Sequence, residues 1–182
     1  MRLINRPQLY DADSPTLAPT WNQIEIGAER IVAKIRGTKF NKILVVVRGG
    51  MVLSIIISHR FHIKKMCFFQ GSRNLSDKPH SYSKLRIYQQ ADVNKGDRVL
   101  IVEDIVYKGN SIDAVIKNVN KVGGEVAAVC SLFMDQGFQS KYLETVGNEK
   151  IPYITAFKCK NLKWIRFPWE NKIRGEKNGE IH

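Results

Sequence analysis

Apolar residues of the chain follow two periods, one typical of helices and one typical of strands. Between residues 20 and 37 they recur at positions 24, 28, 31 and 35, which is the spacing of one helix face. Thr20 and Gln23 have the spacing of a capping box, and Gly37 is a typical C-terminal stop. The sequence therefore predicts an amphipathic helix that begins beside Thr20.

Runs of Val, Ile, Leu and other apolar residues predict strands, several of them buried on both faces. The predicted strands are Lys42–Val47, Lys65–Phe69, Leu85–Gln90, Arg98–Glu103 and Glu125–Phe133, with shorter extended segments at Tyr153–Phe157 and Trp164–Phe167. Two further helices are predicted from Met51 to Arg60 and from Ser111 to about Lys121. Because strands and helices alternate, we expect one α/β domain over residues 1–182, with a central, mainly parallel sheet flanked by helices. Ligands of such sheets bind beyond the carboxyl ends of the strands.

Two segments lack a sustained period. Residues 1–19 contain three prolines and are expected to form an extended or irregular N-terminal arm. Gln70–Lys84 is a polar segment longer than an ordinary connection, and we expect it to be mobile or to act as a lid.

The composition is that of a globular protein with one core, because 43% of the 182 residues are hydrophobic and 25% are charged. The cysteines at positions 67, 130 and 159 are far apart and belong to no CxxC or His-Cys cluster, so we expect reduced thiols. The longest uncharged apolar run, Met51 to Ser58, is far shorter than the roughly 20 residues that span a bilayer. We therefore expect a soluble cytoplasmic protein that does not contact a membrane.

The net charge of +12 favours anionic partners. A basic surface attracts phosphorylated small molecules and nucleic acid alike, so the charge does not distinguish between them. A run of charges is more often a solvated face than a dedicated nucleic-acid patch, and for this reason nucleic acid is the less favoured partner.

The segment 99–111 carries the strongest chemical signal. Its apolar run ends in two adjacent carboxylates, Glu103 and Asp104, which can accept hydrogen bonds from the hydroxyls of a sugar, directly or through water on Mg²⁺. The polar loop that follows leads into a predicted helix, whose first N–H groups and positive dipole end suit a phosphate. Gly109 permits close backbone approach, and Ser111 can cap the helix or donate to phosphate oxygens. The alternative is an acidic strand end and a capped helix without a ligand.

This segment resembles the ribose-phosphate motif of the type I phosphoribosyltransferases, in which a hydrophobic run precedes two acidic residues and a small loop of Asp, Thr, Ser and Gly. Three other features stand in the order of that family: Arg48-Gly49-Gly50 after the first buried strand, the polar segment 70–84, and the ending Trp164–Glu170. The ending is similar to that of the xanthine-guanine and hypoxanthine enzymes. The resemblance implies the type I phosphoribosyltransferase fold, with a small C-terminal hood at 150–170 and a polar tail at 171–182.

The resemblance implies a transferase that moves the ribose 5-phosphate of phosphoribosyl pyrophosphate (PRPP) to a nucleobase, with Mg²⁺ as cofactor. Glu103 and Asp104 would hold the ribose hydroxyls. Arg48 and Gly49 correspond to the pyrophosphate loop, which in this family often contains a cis peptide bond. Four consecutive residues would cradle the 5-phosphate: Lys108, Gly109, Asn110 and Ser111. No direct metal ligand is implied, because Mg²⁺ would approach the acidic pair with PRPP.

At the base end, the resemblance implies that Trp164 stacks on a purine, with the Ile165 backbone and Glu170 near its edge. A Trp considered alone is more often a core residue, and its place in the ending favours the base platform. The partners implied are PRPP and a nucleobase or nucleotide. The family also implies a homo-oligomer, a dimer or tetramer.

The chain departs from the family pattern at positions that carry chemistry. The family's proton-handling Asp lies three residues after the second acidic residue, where this chain has Tyr107. Phenols ordinarily have a pKa of about 10 and are poor bases near neutrality. Loss of a general base should slow turnover by roughly 10²- to 10⁴-fold without abolishing binding. Lys108 replaces a Thr or Ser of the loop, so an attraction for phosphate remains while a short hydroxyl is lost.

A third departure concerns the purine 6-oxygen. The family usually places a donor Lys just after the strand that corresponds to Glu125–Phe133, where this chain has Met134-Asp135-Gln136. A carboxylate there would disfavour 6-oxopurines and favour an amino group, unless Lys141 takes the place of the donor. Two hypotheses follow: an active phosphoribosyltransferase with an altered nucleobase, or a weak or inactive relative that binds a nucleotide or PRPP as a sensor or regulator. We favour the enzyme.

Overall fold

The computed structural model of the chain describes residues 10–11, 14–74, 82–137, 151–160 and 164–170. The described helices are α1 (Trp21–Ile35), α2 (Met51–Phe61) and α3 (Asn110–Lys121), and a 3₁₀ helix covers Pro168–Glu170. The described strands are β1 (Tyr10–Asp11), β2 (Ser14–Leu17), β3 (Lys42–Val47), β4 (Met66–Asn74), β5 (Tyr82–Gln89), β6 (Arg98–Val106), β7 (Glu125–Asp135), β8 (Tyr153–Cys159) and β9 (Trp164–Ile165). None of the described helices is long and apolar enough to cross a membrane.

Six strands form the main sheet in the order β5-β4-β3-β6-β7-β8. Every neighbouring pair is parallel except β4 and β5, which are antiparallel. The central strands β3 and β6 are almost continuously buried because helices cover both faces of the sheet. This architecture confirms the predicted mainly parallel sheet flanked by helices.

The helices divide the core into two apolar clusters. α1 and α2 pack on one face of the sheet with Ile43 and Val45, and α3 packs on the other face with Leu44 and Val46. Alternate residues of β3 therefore enter opposite clusters, as the period of a strand requires. We call these two sides the α1/α2 face and the α3 face.

The predicted capping box at the start of α1 is confirmed. The Thr20 hydroxyl accepts the Gln23 N–H at 3.3 Å, and the Thr20 N–H donates to Gln23 Oε1 at 2.8 Å. Two N–H groups that the first turn of a helix leaves without a backbone partner are thereby satisfied. Local sequence chemistry thus sets the beginning of α1.

A second, three-stranded sheet lies beside the main one in the order β1-β2-β9. β1 and β2 are antiparallel, and β2 pairs in parallel with β9 through Thr16 and Trp164 and through Leu17 and Ile165. The N-terminal arm therefore supplies two of its three strands. The sequence prediction assigned all of 150–170 to a hood, but Tyr153–Cys159 is β8 of the main sheet, and only β9 and the 3₁₀ helix accompany the arm.

Several predicted boundaries are also corrected. β6 continues through Val106, because Ile105 and Val106 pair with Phe133 and Met134 of β7. β7 continues through Asp135, because Met134 and Asp135 pair with Lys158 and Cys159 of β8. The predicted polar segment 70–84 is partly regular, since its two ends belong to β4 and β5, which pair in an antiparallel manner. Residues 75–81, where a lid was predicted, lie outside the described residues.

Candidate functional site

The turn after β3 and the end of β6 meet at the carboxyl edge of the main sheet. A Cβ atom at Gly49 would overlap the Asp104 carboxylate, so the backbone of the turn lies directly against that side chain. The Val47–Arg48 peptide bond in the same turn is cis. Two sequence-predicted segments, Arg48-Gly49 and the acidic pair, are thus brought together.

The turn after β3 leads at once into α2. The Gly50 N–H donates to the Val46 carbonyl at 2.9 Å, and the Ser54 hydroxyl donates to the Gly50 carbonyl at 2.6 Å. No side chain caps the beginning of this helix, and the Arg48 side chain is exposed beside it. A helix N-terminus with an adjacent guanidinium can bind a phosphate or pyrophosphate.

The acidic pair ends the buried part of β6 and is itself half-buried. The Asp104 N–H donates to Glu103 Oε1 at 3.0 Å, and the Ile105 N–H donates to Asp104 Oδ1 at 2.6 Å. Strand alternation places Glu103 on the α3 face, two residues after Ile101 of that cluster. Asp104 points to the other face, where it contacts Gly49.

Burial makes both carboxyl groups weaker acids than usual. Removal from water raises the pKa of Glu103 well above its ordinary value, and the neighbouring Asp104 charge adds to this shift. Burial also raises the pKa of Asp104, to which the charge of Glu170 contributes, while hydrogen bonds from Glu103 and the Ile105 N–H oppose the rise. The two carboxyl groups therefore bind protons or accept hydrogen bonds readily. A cation or a ligand hydroxyl that enters the site would stabilise their ionised forms.

The predicted phosphate loop encloses a cavity of about 270 Å³. Its lining consists of Glu103, Ile105, Val106, Tyr107, Lys108, Gly109, Asn110, Ser111 and Ile112. Gly109 adopts a left-handed φ of 79° immediately before α3, a conformation that glycine tolerates without strain. No side-chain cap occupies the N-terminus of this helix, so its first N–H groups remain available to an anion.

Tyr107 and Lys108, the two loop residues that the sequence predicts to be unusual, have different surroundings. Tyr107 is half-buried and packs against the apolar cluster of the α1/α2 face. Lys108 is exposed, and its ammonium lies 5.8 Å from the centroid of the Tyr107 ring. The Lys108 charge is therefore held beside the cavity in which we expect a phosphate.

The C-terminal ending packs against the α1/α2 face through its aromatic residues. Phe167 is buried, stacks on Trp169 at 4.4 Å between ring centroids and meets Phe133 of β7 edge-on at 5.9 Å. The ring centroid of Trp169 in turn lies 5.8 Å from the ring centroid of Trp21, at the start of α1. The ending is thus anchored over β7 and α1.

The three residues predicted to bind the base have separate structural roles. Trp164 pairs through its backbone with Thr16, and its side chain lies outside the described set. The Ile165 side chain is buried in the core, which leaves its backbone as the group that can face a ligand. Glu170 is exposed, accepts the Phe167 N–H at 2.9 Å and lies within electrostatic range of Asp104.

Asp135 occupies a different place from the one predicted. It is the last residue of β7 rather than part of the segment that follows the strand, and only 8% of its surface is exposed. Its Oδ1 atom accepts the Gly137 N–H at 2.7 Å, and Cys159 lies opposite it on β8. Lys141, the alternative donor, falls outside the described residues.

Sequence reasoning missed a polar pair on the adjoining strands, in which a buried serine meets a half-buried tyrosine. Ser131 of β7 and Tyr153 of β8 share a hydrogen bond of 2.6 Å. Ser131 interrupts an otherwise apolar run, which was the signal available in the sequence. The described residues contain no group of three or more His, Cys, Asp or Glu side chains that could hold a metal ion.

Comparison with known proteins identifies the family. Residues 20–173 match the family model of the phosphoribosyl transferase domain. The chain belongs to this family. The phosphoribosyltransferase match covers the cis peptide turn, the acidic pair, the phosphate loop and the C-terminal ending.

The individual relatives given below have low sequence identity to this chain, and each is a phosphoribosyltransferase by name. The chain is 29% identical to xanthine phosphoribosyltransferase 2 of Clostridium botulinum over 136 residues, which are 68% of this chain and 70% of that one. It is 28% identical to the orotate phosphoribosyltransferase of Caldanaerobacter subterraneus over 108 residues, and spans only about half (52%) of that relative. The purine phosphoribosyltransferase of Pyrococcus horikoshii superimposes with a TM-score of 0.65 at 25% identity, covering 89% of this chain and 99% of that one.

Proposed function

We propose that this phosphoribosyltransferase transfers the ribose 5-phosphate of PRPP to a nucleobase of the purine class, with Mg²⁺. The observation that carries the proposal is the contact between Gly49 and Asp104. It joins a candidate pyrophosphate turn to a candidate ribose-binding pair, and the same strand continues into the phosphate loop. One extended anionic ligand can therefore contact all three segments at the carboxyl edge of the sheet.

Each segment offers groups suited to one part of PRPP. The N–H groups at the start of α3, the Ser111 hydroxyl and the Lys108 ammonium suit the 5-phosphate. Glu103 and Asp104 are acceptors for the ribose hydroxyls. Arg48 and the beginning of α2 suit the pyrophosphate, whose departure leaves positive charge on the ribose.

Mg²⁺ fits this site as an ion that binds together with PRPP, rather than as one that the protein binds on its own. Among the described residues the acidic pair is the only nearby set of oxygen donors on β6, and no cluster of three ligands accompanies it. The ion would be coordinated by phosphate oxygens and water, with the carboxylates receiving hydrogen bonds from that water. When bound, it would neutralise negative charge on the leaving pyrophosphate.

The base would lie under the C-terminal ending, with Trp164 as its platform and the Ile165 backbone and Glu170 near its edge. The named purine and xanthine relatives support a purine. Asp135 supports one with an amino group, because a buried carboxylate accepts hydrogen bonds and repels a carbonyl oxygen. Replacement Asp135→Asn should then shift the preference from aminopurines towards oxopurines. By family resemblance we also expect a cytoplasmic homo-oligomer, a dimer or tetramer.

The direct test is release of pyrophosphate from PRPP and Mg²⁺ in the presence of guanine, xanthine, hypoxanthine, adenine and pyrimidine bases in turn. Formation of the matching nucleotide must accompany release. We expect release with a purine, and its loss when Glu103→Asn and Asp104→Ala are combined. A folded wild-type protein that neither binds PRPP nor releases pyrophosphate with any base would refute the proposal.

A second candidate function is a sensor that binds PRPP or a nucleotide without turning it over. The observation that favours it is Tyr107, which packs in the apolar cluster at the position of the family's proton-handling Asp. A site of this kind retains phosphate contacts while lacking an efficient base. Tight binding of PRPP or a nucleotide without release for any base would select this function.

A further inference from the structure

Positive charge is concentrated at the end of the main sheet that lies opposite the candidate functional site. Four segments lead into the amino ends of β3, β4, β6 and β7, which are neighbouring parallel strands, so the segments lie side by side. They are residues 36–42, 62–65, 90–98 and 121–125. Six of their Lys and Arg side chains are exposed, and we call these six residues the basic edge: Arg36, Lys39, Lys64, Lys65, Lys95 and Lys121.

Two of the three carboxylates in these segments are paired with cations outside the basic edge. Asp97 forms its ion pair with the nearly buried Lys42 at 2.6 Å, and Glu125 pairs with Arg98 at 2.9 Å. The third carboxylate belongs to Asp92. The four segments therefore present a large excess of positive charge to solvent.

Backbone hydrogen bonds hold these segments together. The Asn41 N–H donates to the Arg98 carbonyl at 2.9 Å, and the Gly96 N–H donates to the Gly123 carbonyl at 3.0 Å. The Lys65 carbonyl accepts an N–H of β3, also at 3.0 Å. The backbone positions from which the cations project are thus fixed relative to one another by the fold.

The size of the basic edge matches a polyanion better than a single phosphate group. Like charges repel one another, so gathering them on one surface opposes folding unless an anion offsets the repulsion. Four strands spaced about 4.8 Å apart cover about 14 Å. Duplex DNA carries one negative charge per ~1.7 Å of helix axis, so a backbone that crosses this surface meets several cations at once.

We propose that the basic edge binds the phosphate backbone of a nucleic acid. Its cations come from segments that are far apart along the chain, which is why no run of charges in the sequence indicated this surface and nucleic acid was the less favoured partner. Glu103 lies five residues beyond Arg98 on β6, so about 17 Å of strand separates the basic edge from the acidic pair. Nucleic acid and PRPP would therefore bind at the same time, and nucleic-acid binding does not depend on the transferase activity.

The salt dependence of nucleic-acid binding tests the proposal. Fluorescence anisotropy measures the affinity of the full chain for a single-stranded RNA and a DNA duplex, each about 20 nucleotides long, over a range of KCl concentrations. A fourfold variant removes one cation from each segment: Lys39→Ala, Lys64→Ala, Lys95→Ala and Lys121→Ala. It should bind about tenfold more weakly or worse, and the slope of log affinity against log salt for the duplex should become shallower by about three to four, because each phosphate contact contributes about 0.9.

Two double variants provide a comparison at equal change in charge. Lys64→Ala with Lys95→Ala should make the duplex slope shallower by about two. Lys158→Ala with Lys160→Ala removes two exposed cations at the other end of the sheet and should leave affinity and slope unchanged. Thermal unfolding checks that every variant is folded. Equal losses in the two double variants would show a diffuse attraction to the whole basic protein and overturn the proposal, as would wild-type affinity in the fourfold variant or no binding by the wild type.

Competing ligands identify the site and the class of partner. Saturating PRPP with Mg²⁺ should leave nucleic-acid binding unchanged, and displacement would place the nucleic acid at the phosphate loop and overturn the proposal. Failure of PRPP to bind, with nucleic acid still bound by the basic edge, would refute the proposed function alone. Equally tight binding of polyglutamate, or of vesicles that contain phosphatidylserine, with the same loss in the fourfold variant would show a surface for any anion and overturn the assignment to nucleic acid. Binding of RNA in preference to the duplex would support it and assign the source of the backbone.

Discussion

The backbone of Gly49 lies so close to the Asp104 carboxylate that any side chain at residue 49 would displace it. We expect Gly49→Ala to weaken PRPP binding by about tenfold or more, equivalent to about 1.4 kcal/mol. Gly37→Ala is the matched control, because a Cβ there has nothing within 4 Å. Calorimetric titration with PRPP and Mg²⁺ measures both variants. Equal affinity of the two would show that the Gly49–Asp104 contact is unimportant for the ligand.

The raised pKa of Glu103 predicts how stability changes with pH. The folded protein holds this proton to higher pH than the unfolded chain does, so the free energy of unfolding falls as the pH rises from the unfolded pKa to the folded one. Glu103→Gln removes the cost of ionisation. It should raise Tm at pH 8 by about 2–4 °C, which corresponds to about 1 kcal/mol for a chain of this length.

The Tm advantage of Glu103→Gln should shrink as the pH is lowered towards 4, because Glu103 in the unfolded chain then also becomes mostly protonated. Glu25→Gln, at an exposed position of α1, controls for the loss of one negative charge. A Tm difference that is the same at every pH, or a Tm of Glu103→Gln below wild type at pH 8, would contradict the prediction.

The family resemblance predicts Tyr107 at the position of the proton-handling Asp, and the Tyr107 ring packs in an apolar cluster. If the phenol is a poor base, Tyr107→Asp should raise kcat by about tenfold or more. Tyr107→Phe removes only the hydroxyl and should leave kcat unchanged. A lower kcat in the folded Phe variant would assign the phenol a catalytic role of its own.

Lys42 and Asp97 form an ion pair of 2.6 Å at the opposite edge of the sheet, and Lys42 also donates to the Asp92 carbonyl at 3.0 Å. The hydrogen bond raises the pKa of Lys42 and lowers that of Asp97. Lys42→Met leaves a nearly buried carboxylate without its partner and should lower the free energy of unfolding by about 3 kcal/mol.

The exposed Arg98–Glu125 pair, at 2.9 Å, provides the comparison for Lys42→Met. Arg98→Ala should lower the free energy of unfolding by less than about 1 kcal/mol, because water screens charges at exposed positions. Urea unfolding at neutral pH measures both variants. Similar losses in the two would show that burial of Lys42 does not strengthen its pair.

The fold was largely predictable because its strands are short apolar runs between clear breaks. The residues at which these strands end were less predictable. The predicted strand ended at Glu103, whereas the backbone pairing of Ile105 and Val106 with β7 extends β6 past Asp104. The next predicted strand ended at Phe133, whereas pairing with β8 extends β7 to Asp135. Pairing with a neighbouring strand decides where a strand ends, and a single sequence does not show which strands are neighbours.

Site residues that are consecutive in sequence were predictable, and those that meet only through register were not. Glu103 to Ser111 form one segment, so their grouping around the cavity could be expected. Ser131 and Tyr153 are 22 residues apart and lie on different strands. Their hydrogen bond depends on β7 and β8 being neighbours in the sheet, which the hydrophobic pattern does not specify.

The small sheet unites β2 and β9, which are about 150 residues apart along the chain. Closing so long a loop costs conformational entropy, and among the described residues two backbone pairs and the packing of Phe167 and Trp169 offset that cost. Amide hydrogens of Leu17 and Arg166 should therefore exchange with solvent through openings that leave β3 and β6 protected. Under the proposed function, the main sheet and the phosphate loop would stay folded while the small sheet opens and closes beside them. A base could then enter and a nucleotide could leave without unfolding of the phosphate loop.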